Sequence, residues 1–308
     1  MKTCVVIYNP NSGKKVKKDF LAEYLDILMD YGYLPEVIFS KYKGHITKIV
    51  SELRRVDLVI SLGGDGTFNE AMNGNFLRKD KLLLAHIPLG TTNDIGAMFG
   101  YGKDVIGNLK LLLEGEEQKI DICCVNGKPF TYVAGFGKFM NVPYETSREL
   151  KKKIGYLAYI VEGIKEFRNT TKLYELSYTV GDETYHGLYS FVIISNANRI
   201  AGINNFYNDV KLDDGKFEVL FCNLTRKKDI LKTLYYLRTN DITKVPGVYF
   251  HKTDHLKITF KKKVSDWCVD GEKLEDNTKE YDITVVPNIR IMMPRKNINS
   301  LFEKKTSD

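Results

Sequence analysis

No stretch of this chain approaches the ~20 consecutive apolar residues that a membrane-spanning helix requires, so any membrane contact is expected to be peripheral. No Cys-x-x-Cys spacing occurs among its five cysteines, Cys4, Cys123, Cys124, Cys222 and Cys268. Their number is odd, and the adjacent Cys123 and Cys124 would alternate sides of a strand. All five are therefore read as reduced thiols of a cytoplasmic protein. The histidines form no zinc set. His251-x-x-x-His255 has helical ligand spacing, but it adjoins the strand alternation Leu256, Ile258, Phe260. No leader is expected, because Met1-Lys2-Thr3-Cys4 runs straight into the apolar Val5-Val6-Ile7-Tyr8. There is no internal repeat and no low-complexity linker. The two commonest phosphate loops, Gly-x-Gly-x-x-Gly and Gly-Lys-Ser/Thr, are also missing.

What is present suits two domains of ordinary size: 308 residues, 43% of them hydrophobic, with a net charge of +7. The charge suits an anionic partner and leaves nucleic acid, membrane surface and nucleotide open.

One stretch organises the rest. Leu58-Val59-Ile60-Ser61-Leu62 is an apolar run, read as a buried parallel strand. It ends in Gly63-Gly64-Asp65-Gly66-Thr67, and a helical pattern begins at once. Thr67-x-x-Glu70 reads as a capping box that starts this helix, which runs to about Leu77. Strand, glycine turn and helix N-terminus together aim backbone N–H groups at one spot, which attracts phosphate. Asp65 inside the glycines is unusual. At about 4 Å a carboxylate repels a phosphate charge by about 4 kcal/mol at an effective dielectric near 20. Its position makes sense if a cation lies between them or if Asp65 orients a reacting group. The plainer alternative is an Asp-Gly turn whose carboxylate accepts nearby N–H groups.

The flanking pattern alternates. Strands are expected at Cys4 to Tyr8, Glu36 to Ser40 and Leu82 to Pro88, with helices at Lys17 to Tyr31, Ile46 to Leu53 and Val105 to Leu113. His86, without an evident partner, reads as a packed core histidine. This is the grammar of an α/β layer with parallel strands, in which ligands bind beyond the carboxyl ends of the strands. Ser12, Ser40, Gly64 to Thr67 and Thr91 all follow strand ends, so four loops converge on one edge. Near Lys119 the grammar changes to alternation. Tyr174, Leu176, Tyr178 and Val180 face one way, and Gly181-Asp182 supplies a hairpin turn. Further strands are expected at Phe191 to Ile194, Phe217 to Phe221, Leu256 to Phe260, Trp267 to Val269 and Tyr281 to Val286, with helices at Leu157 to Phe167 and Ile230 to Leu237. The second domain is thus mostly antiparallel, in two sheets, and the polar tail after Lys296 is expected to fray.

Four motifs stand in order: Asn9-Pro10-x-Ser12-Gly13, Gly63-Gly64-Asp65-Gly66-Thr67-x-Asn69-Glu70, Pro88-Leu89-Gly90-Thr91-x-Asn93-Asp94 and Asp270-Gly271-Glu272. The ordered set resembles the soluble diacylglycerol kinase-like family of bacterial lipid kinases, related to sphingosine and ceramide kinases, over nearly the whole chain. The resemblance implies an ATP-binding α/β domain, residues 1–120, with residues 287–308 folding back onto it. It also implies a β-sandwich-like lipid-substrate domain, residues 121–286, and an active site in the cleft between the two.

By motif, Asn9, Pro10, Asn11, Ser12, Gly13, Ser40, Gly63, Gly64, Asp65, Gly66, Thr67, Phe68, Asn69 and Thr91 would contact ATP. Ser40 stands where the family usually has threonine. Asp65 would act at the reacting phosphate, Asp121 would complete a network of Mg²⁺ and water with it, and Glu272 would be the general base. Taken alone, Asp270-Gly271-Glu272 reads as a hairpin tip with an exposed glutamate. Lys211 to Lys216 resembles a structural metal loop in which Asp214 gives a carboxylate and Lys211 and Lys216 give backbone carbonyls, ligands that suit magnesium. The family's paired glycines near Ala201-Gly202-Ile203 and its proline near Asn208 are altered here.

The expected reaction is transfer of the γ-phosphoryl of MgATP to a lipid hydroxyl, with diacylglycerol or a related lipid as acceptor. The partner is a lipid at a membrane surface, met by transient peripheral association; no nucleic acid is expected, and a homodimer is left open. Arg148 and Lys151 to Lys153 ahead of Ile154 to Tyr159 form one basic approach to a bilayer, and Arg226 to Lys228 and Lys261 to Lys263 are others. Each cluster reads equally as solvated charge. An NAD kinase also carries Gly-Gly-Asp-Gly-Thr, but the Pro88 to Asp94 loop and Asp270 to Glu272 are of lipid-kinase type. A non-catalytic lipid or nucleotide sensor on the same fold is the other alternative, and the intact Asp65, Asp121 and Glu272 argue against it.

Overall fold

The computed structural model describes residues 1–12, 20–137, 172–200, 203–204, 206–207, 209–225, 245–264, 267–274 and 276–303. It falls into two compact units, Met1–Ile120 with Pro287–Asp308, and Asp121–Val286. Gly13, the helices expected at Leu157 to Phe167 and Ile230 to Leu237, the basic clusters Arg148 to Lys153 and Arg226 to Lys228, and the altered positions Ala201, Gly202 and Asn208 lie outside the described residues.

The first unit alternates β1 (Lys2–Tyr8), α1 (Phe20–Asp30), β2 (Tyr33–Phe39), α2 (His45–Glu52), β3 (Leu58–Gly63), α3 (Asp65–Phe76), β4 (Leu84–Pro88), α4 (Asp94–Met98) and α5 (Val105–Leu113). Its strands are parallel in the order β2-β1-β3-β4. All six residues of β3 are buried, as expected of a parallel strand covered on both faces. Two polar side chains interrupt this apolar layer, and the register makes Ser61 and His86 partners. Ser61 Oγ donates to the Ala85 carbonyl at 3.1 Å and lies 3.0 Å from His86 Nδ1. His86 therefore does have a partner, which the register alone reveals.

The strand order reverses direction beside β1, since the chain moves to β2 on one side and then to β3 on the other. Such a reversal is where open α/β sheets bind ligands, outside the carboxyl ends of the strands.

Two expectations for this unit are corrected. Helix α3 starts at Asp65, with Gly64 extended at its N-cap and no side-chain cap. Thr67 and Glu70 are not a capping box, because both side chains are taken by other segments. Glu70 accepts from the Gly44 N–H at 3.0 Å and the Ile46 N–H at 3.1 Å, so it caps α2 instead. Nor is the described part of the tail loose. A 3-10 turn (Arg295–Asn297) leads into α6 (Ile298–Leu301), which buries Leu301 and Phe302. Asn297 Nδ2 donates to the Met98 carbonyl at 2.8 Å. The pair of apolar side chains outweighs the polar composition around it.

Two strands cross the unit boundary: β5 (Glu116–Val125) and β18 (Thr278–Met293). The late part of β18 lies parallel to β4 through Ile291 and Leu84, and Arg290 grips Glu117 with both Nε and Nη2.

The second unit carries β6 (Lys128–Phe130), β7 (Val133–Gly137), β8 (Tyr174–Val180), β9 (Glu183–Tyr189), β10 (Phe191–Ser195), β11 (Arg199–Ile200), β12 (Ile203–Asn204), β13 (Phe217–Cys222), β14 (Val248–Thr253), β15 (His255–Val264), β16 (Trp267–Val269) and β17 (Glu272–Lys273). One antiparallel sheet runs β14-β13-β10-β7-β16-β17, and a second set runs β18-β15-β8-β9. The two share one core. Phe136 sits edge-on to Phe260 at 4.5 Å, Trp267 lies 4.7 Å from Tyr281, and Tyr178 stacks on Phe221 at 3.6 Å. Aromatic contacts of these kinds add to the area they bury.

His251 and His255 fall on different strands. His251 Nε2 meets the Tyr178 hydroxyl at 3.0 Å, and His255 pairs with Asp282 at 2.6 Å. All five cysteines are buried free thiols. Burial pushes Cys124 up to about 11, so it is inert as a nucleophile near neutral pH.

Candidate active site

In the first unit, three loops meet beyond the ends of β1, β3 and β4. Asn9 Nδ2 donates to Thr67 Oγ1 at 3.1 Å, Ser12 Oγ lies 3.3 Å from the same oxygen, and the Gly64 N–H donates to Ser12 Oγ at 3.3 Å. The β1 loop is thereby fastened to the first turn of α3. The β3 and β4 loops touch backbone to backbone. A Cβ built on Gly90 would sit 2.8 Å from Gly64 Cα, closer than side chains tolerate, and one on Gly63 would sit 2.3 Å from Thr67 Oγ1. The glycines are thus set by close approach, while the space beside Gly66 is open. The Thr67 and Phe68 N–H groups donate to the Gly64 carbonyl, and a helix N-terminus beside open space suits an anion.

Asp65 bridges to the third loop. Its Oδ2 accepts from the Asp94 N–H at 3.0 Å and its Oδ1 from the Ile95 N–H at 3.1 Å, so the carboxylate spans the start of α4. Asn93, in the left-handed region at φ 50°, donates through Nδ2 to the Gly90 carbonyl and closes the same loop. Asp65 therefore engages backbone donors, as in the plainer sequence alternative, and the donors lie some thirty residues away along the chain.

Other members of the expected ATP set differ in exposure. Ser40 is buried at the end of β2, where its N–H donates to the Tyr8 carbonyl. Pro10, Asn11 and Thr91 are exposed, and Asn69 is buried. The Phe68 side chain is fully buried, 5.0 Å from the His86 ring and 6.2 Å from Phe99, so only its backbone can face a ligand. Burial holds the His86 imidazole down at about 3, and it is neutral at physiological pH.

The second unit holds the remaining carboxylates. Asp121 is buried; its N–H donates to the Leu212 carbonyl at 2.6 Å and its Oδ2 accepts from the Gly215 N–H at 2.7 Å. Asn196 Nδ2 donates to the Asp121 carbonyl at 2.9 Å. Asp121 is thus fastened to the Lys211–Lys216 loop.

In that loop Asp214 Oδ1 accepts from the Lys216 N–H, and Asp214 Oδ2 lies 2.6 Å from the Lys252 ammonium. This arrangement does not fit a divalent ion. An ion ligated by the same carboxylate would lie about 4 Å from the ammonium and be repelled by about 8 kcal/mol at an effective dielectric near 20. Among the described residues, no group of three or more His, Cys, Asp or Glu is arranged to hold a metal ion. Glu218 stands beside the loop, 1% exposed, and burial pushes its carboxyl up to about 8.

Glu272 is exposed and follows a two-residue turn between β16 and β17, directly opposite Val269. Asp270 and Gly271 occupy that turn at φ 47° and 82°, the pattern of a type I′ hairpin. The turn is anchored from beneath by Asp270, a residue the sequence motif marks only as part of a hairpin. Its carboxylate accepts from the N–H groups of Thr131, Tyr132 and Val133 at 2.6, 3.1 and 3.0 Å. Burial raises Asp270 to about 6, against the lowering pull of these three donors. A signal existed in Asp at a turn position that demands positive φ, but its partners lie more than 130 residues away along the chain.

Comparison with known proteins places these features in a family. Residues 3–125 match the family model of the diacylglycerol kinase catalytic domain. The chain is 30% identical over 256 residues to a diacylglycerol kinase of Staphylococcus epidermidis, covering 82% of this chain and 81% of that protein. It is 27% identical over 304 residues to a diacylglycerol kinase of Bacillus subtilis, covering 98% and 99%. A crystal structure of a diacylglycerol kinase from Bacillus anthracis shares the fold, with a TM-score of 0.74 at 20% identity over 96% of this chain and 98% of that one.

Proposed function

Because the chain belongs to the diacylglycerol kinase family and is a phosphotransferase with an alcohol acceptor, we propose that it transfers the γ-phosphoryl of MgATP to the free hydroxyl of diacylglycerol. The acceptor follows the names of its relatives. The observation that carries the nucleotide half is the junction of the β1 and β3 loops, where Asn9 and Ser12 meet Thr67 and Gly64 at the reversal point of the sheet. It leaves a cradle of N–H groups and hydroxyls, the kind of surface that holds a phosphate chain. Asn9, Ser12 and Thr67 shape one wall. Asp65 holds the Asp94 end of the third loop against the glycines.

In this reading the lipid hydroxyl oxygen attacks the γ-phosphorus in line, the bond to the bridging oxygen of ADP breaks, and Glu272 takes the hydroxyl proton. Asp121 completes the charge arrangement at the transferring group. Magnesium carried by the nucleotide would supply neutralisation of its phosphates, with Asp65 and Asp121 as the carboxylates that would meet it. Positioning and charge stabilisation supply most of the rate in such transfers, and a general base adds about 10²- to 10⁴-fold. Among the described residues no helix is long and apolar enough to cross a membrane, and the enzyme reaches its lipid by peripheral contact with the bilayer.

The test is to incubate the protein with labelled MgATP and vesicles containing diacylglycerol, and in parallel with NAD. Labelled phosphorylated diacylglycerol is the expected product. Label in NAD, or ATP binding without any lipid product, would overturn the reading.

A further inference from the structure

The loop that holds Asp121 is closed by a side chain rather than an ion. Lys252 lies in β14 directly opposite Glu218 of β13. On β13, Phe217, Val219 and Phe221 face the shared core, which leaves Glu218 on the other face. Lys252 Nζ lies 2.6 Å from Asp214 Oδ2 and 3.5 Å from Glu218 Oε1, and it donates to the Asp209 carbonyl at 3.2 Å. Three oxygens from three points of one loop and its following strand thus converge on one positive charge. Glu218 is 99% withdrawn from solvent, and among the described residues neither of its carboxylate oxygens has a hydrogen-bond partner. The Lys252 ammonium is the counter-charge that faces this buried group, and a buried carboxyl without one is costly.

We propose that Lys252 is the resident cation of the 209–218 loop, doing with a covalently attached charge what a bound divalent ion would otherwise do, and that it thereby positions Asp121. The second link is short: Asp214 ends at Gly215, whose N–H donates to Asp121 Oδ2 at 2.7 Å. Lysine suits this place because its ammonium has three rotatable donors and no acceptor, which matches three oxygens in a shallow arc. Lys252 is a positioning residue and touches no substrate. The part of the claim that concerns Asp121 rests on the kinase reading above; the part that concerns the loop does not.

The experiment compares the wild type, Lys252→Met and Lys252→Arg by thermal unfolding without nucleotide, in EDTA and in millimolar magnesium, and then by steady-state kinetics. The expected wild-type melting temperature is the same in EDTA and in magnesium. Lys252→Met melts lower in EDTA and regains part of the loss with magnesium, since the Asp214 carboxylate and the buried Glu218 carboxyl lose the ammonium that faces them; Lys252→Arg melts near the wild type in both. With diacylglycerol vesicles, Lys252→Met loses kcat while KM for MgATP stays put, and Lys252→Arg recovers kcat. A wild type stabilised by magnesium overturns the proposal, as does a Lys252→Met protein as stable in EDTA as the wild type. If Lys252→Met fails to fold, an EDTA-insensitive wild type together with a folded Lys252→Arg supports it. Absence of any lipid product would sink the kinase reading and leave the melting results to decide the loop.

Discussion

The two units handle polar groups in opposite ways. Among the described residues, the first builds its candidate site largely from backbone N–H groups and hydroxyls, and uses the Asp65 carboxylate to join loops. The second gathers carboxylates, Asp121, Asp214, Glu218 and Asp270, and holds each by backbone donors or by Lys252. The difference is consistent with the tasks proposed above for each half. A cradle for a polyphosphate gains from fixed N–H dipoles, which need no counter-ion of their own. Buried carboxylates crowded together repel one another unless donors or a cation hold them.

The comparison breaks most visibly at Glu272. Replacing it with glutamine should cut kcat by about 10²- to 10⁴-fold. Because the side chain is exposed, unfolding free energy should move by no more than about 0.5 kcal/mol. Parallel kinetics and urea titrations check both, and full activity in the variant would remove Glu272 from the mechanism.

The pH dependence of stability separates the units next. His86 titrates at about 3 in the fold, below its ordinary 6.5. Its contribution is complete above 6.5 and is lost as acid carries the pH down toward 3, because the unfolded chain takes up a proton that the fold refuses. Asp270 titrates at about 6, above its ordinary 3.8. Its contribution is complete below 3.8 and is lost as the pH rises through 6. Each effect is on the order of 3 to 5 kcal/mol, since every tenfold change in proton affinity between fold and unfolded chain is about 1.4 kcal/mol. Urea unfolding at stepped pH should show a flatter acid limb in His86→Leu and a smaller loss between pH 4 and 6 in Asp270→Asn. Slopes equal to the wild type in both would refute the assignment.

The mildest test is Gly63→Ala. The new methyl group meets Thr67 Oγ1, and the shift it forces should cost about 1–3 kcal/mol of stability. It should also weaken binding of a fluorescent ATP analogue, because Thr67 is the shared partner of Asn9 and Ser12. Unchanged binding would mean that the three-loop junction is not part of the nucleotide site.

Much of the fold was legible because burial writes itself into periodicity. The run Leu58 to Leu62 and the short strand Trp267 to Val269 sit where their apolar residues put them. The edge strand β9, Glu-Thr-Tyr-His-Gly-Leu-Tyr, left no such trace, since only its last residue is buried. The site was legible as a set of loops following strand ends, and that order carried the family resemblance. What sequence could not show is who holds whom. Asp65 and Asp270 both accept backbone N–H groups, and a backbone donor has no letter in the sequence. Lys252 is one more lysine in the sequence until the register sets it across from Glu218. Leu301 and Phe302 are two apolar letters in a polar tail, too few to make a period.

The first unit is finished by residues more than 160 positions further along the chain. Ile291 lies alongside Leu84, and Asn297 donates to the carbonyl of Met98. A nascent chain still short of Pro287 therefore presents its strand-end loops on a sheet whose β4 flank is bare, and a bare flank invites pairing with a stranger. The chain's first 120 residues can be sealed only after synthesis has passed Pro287.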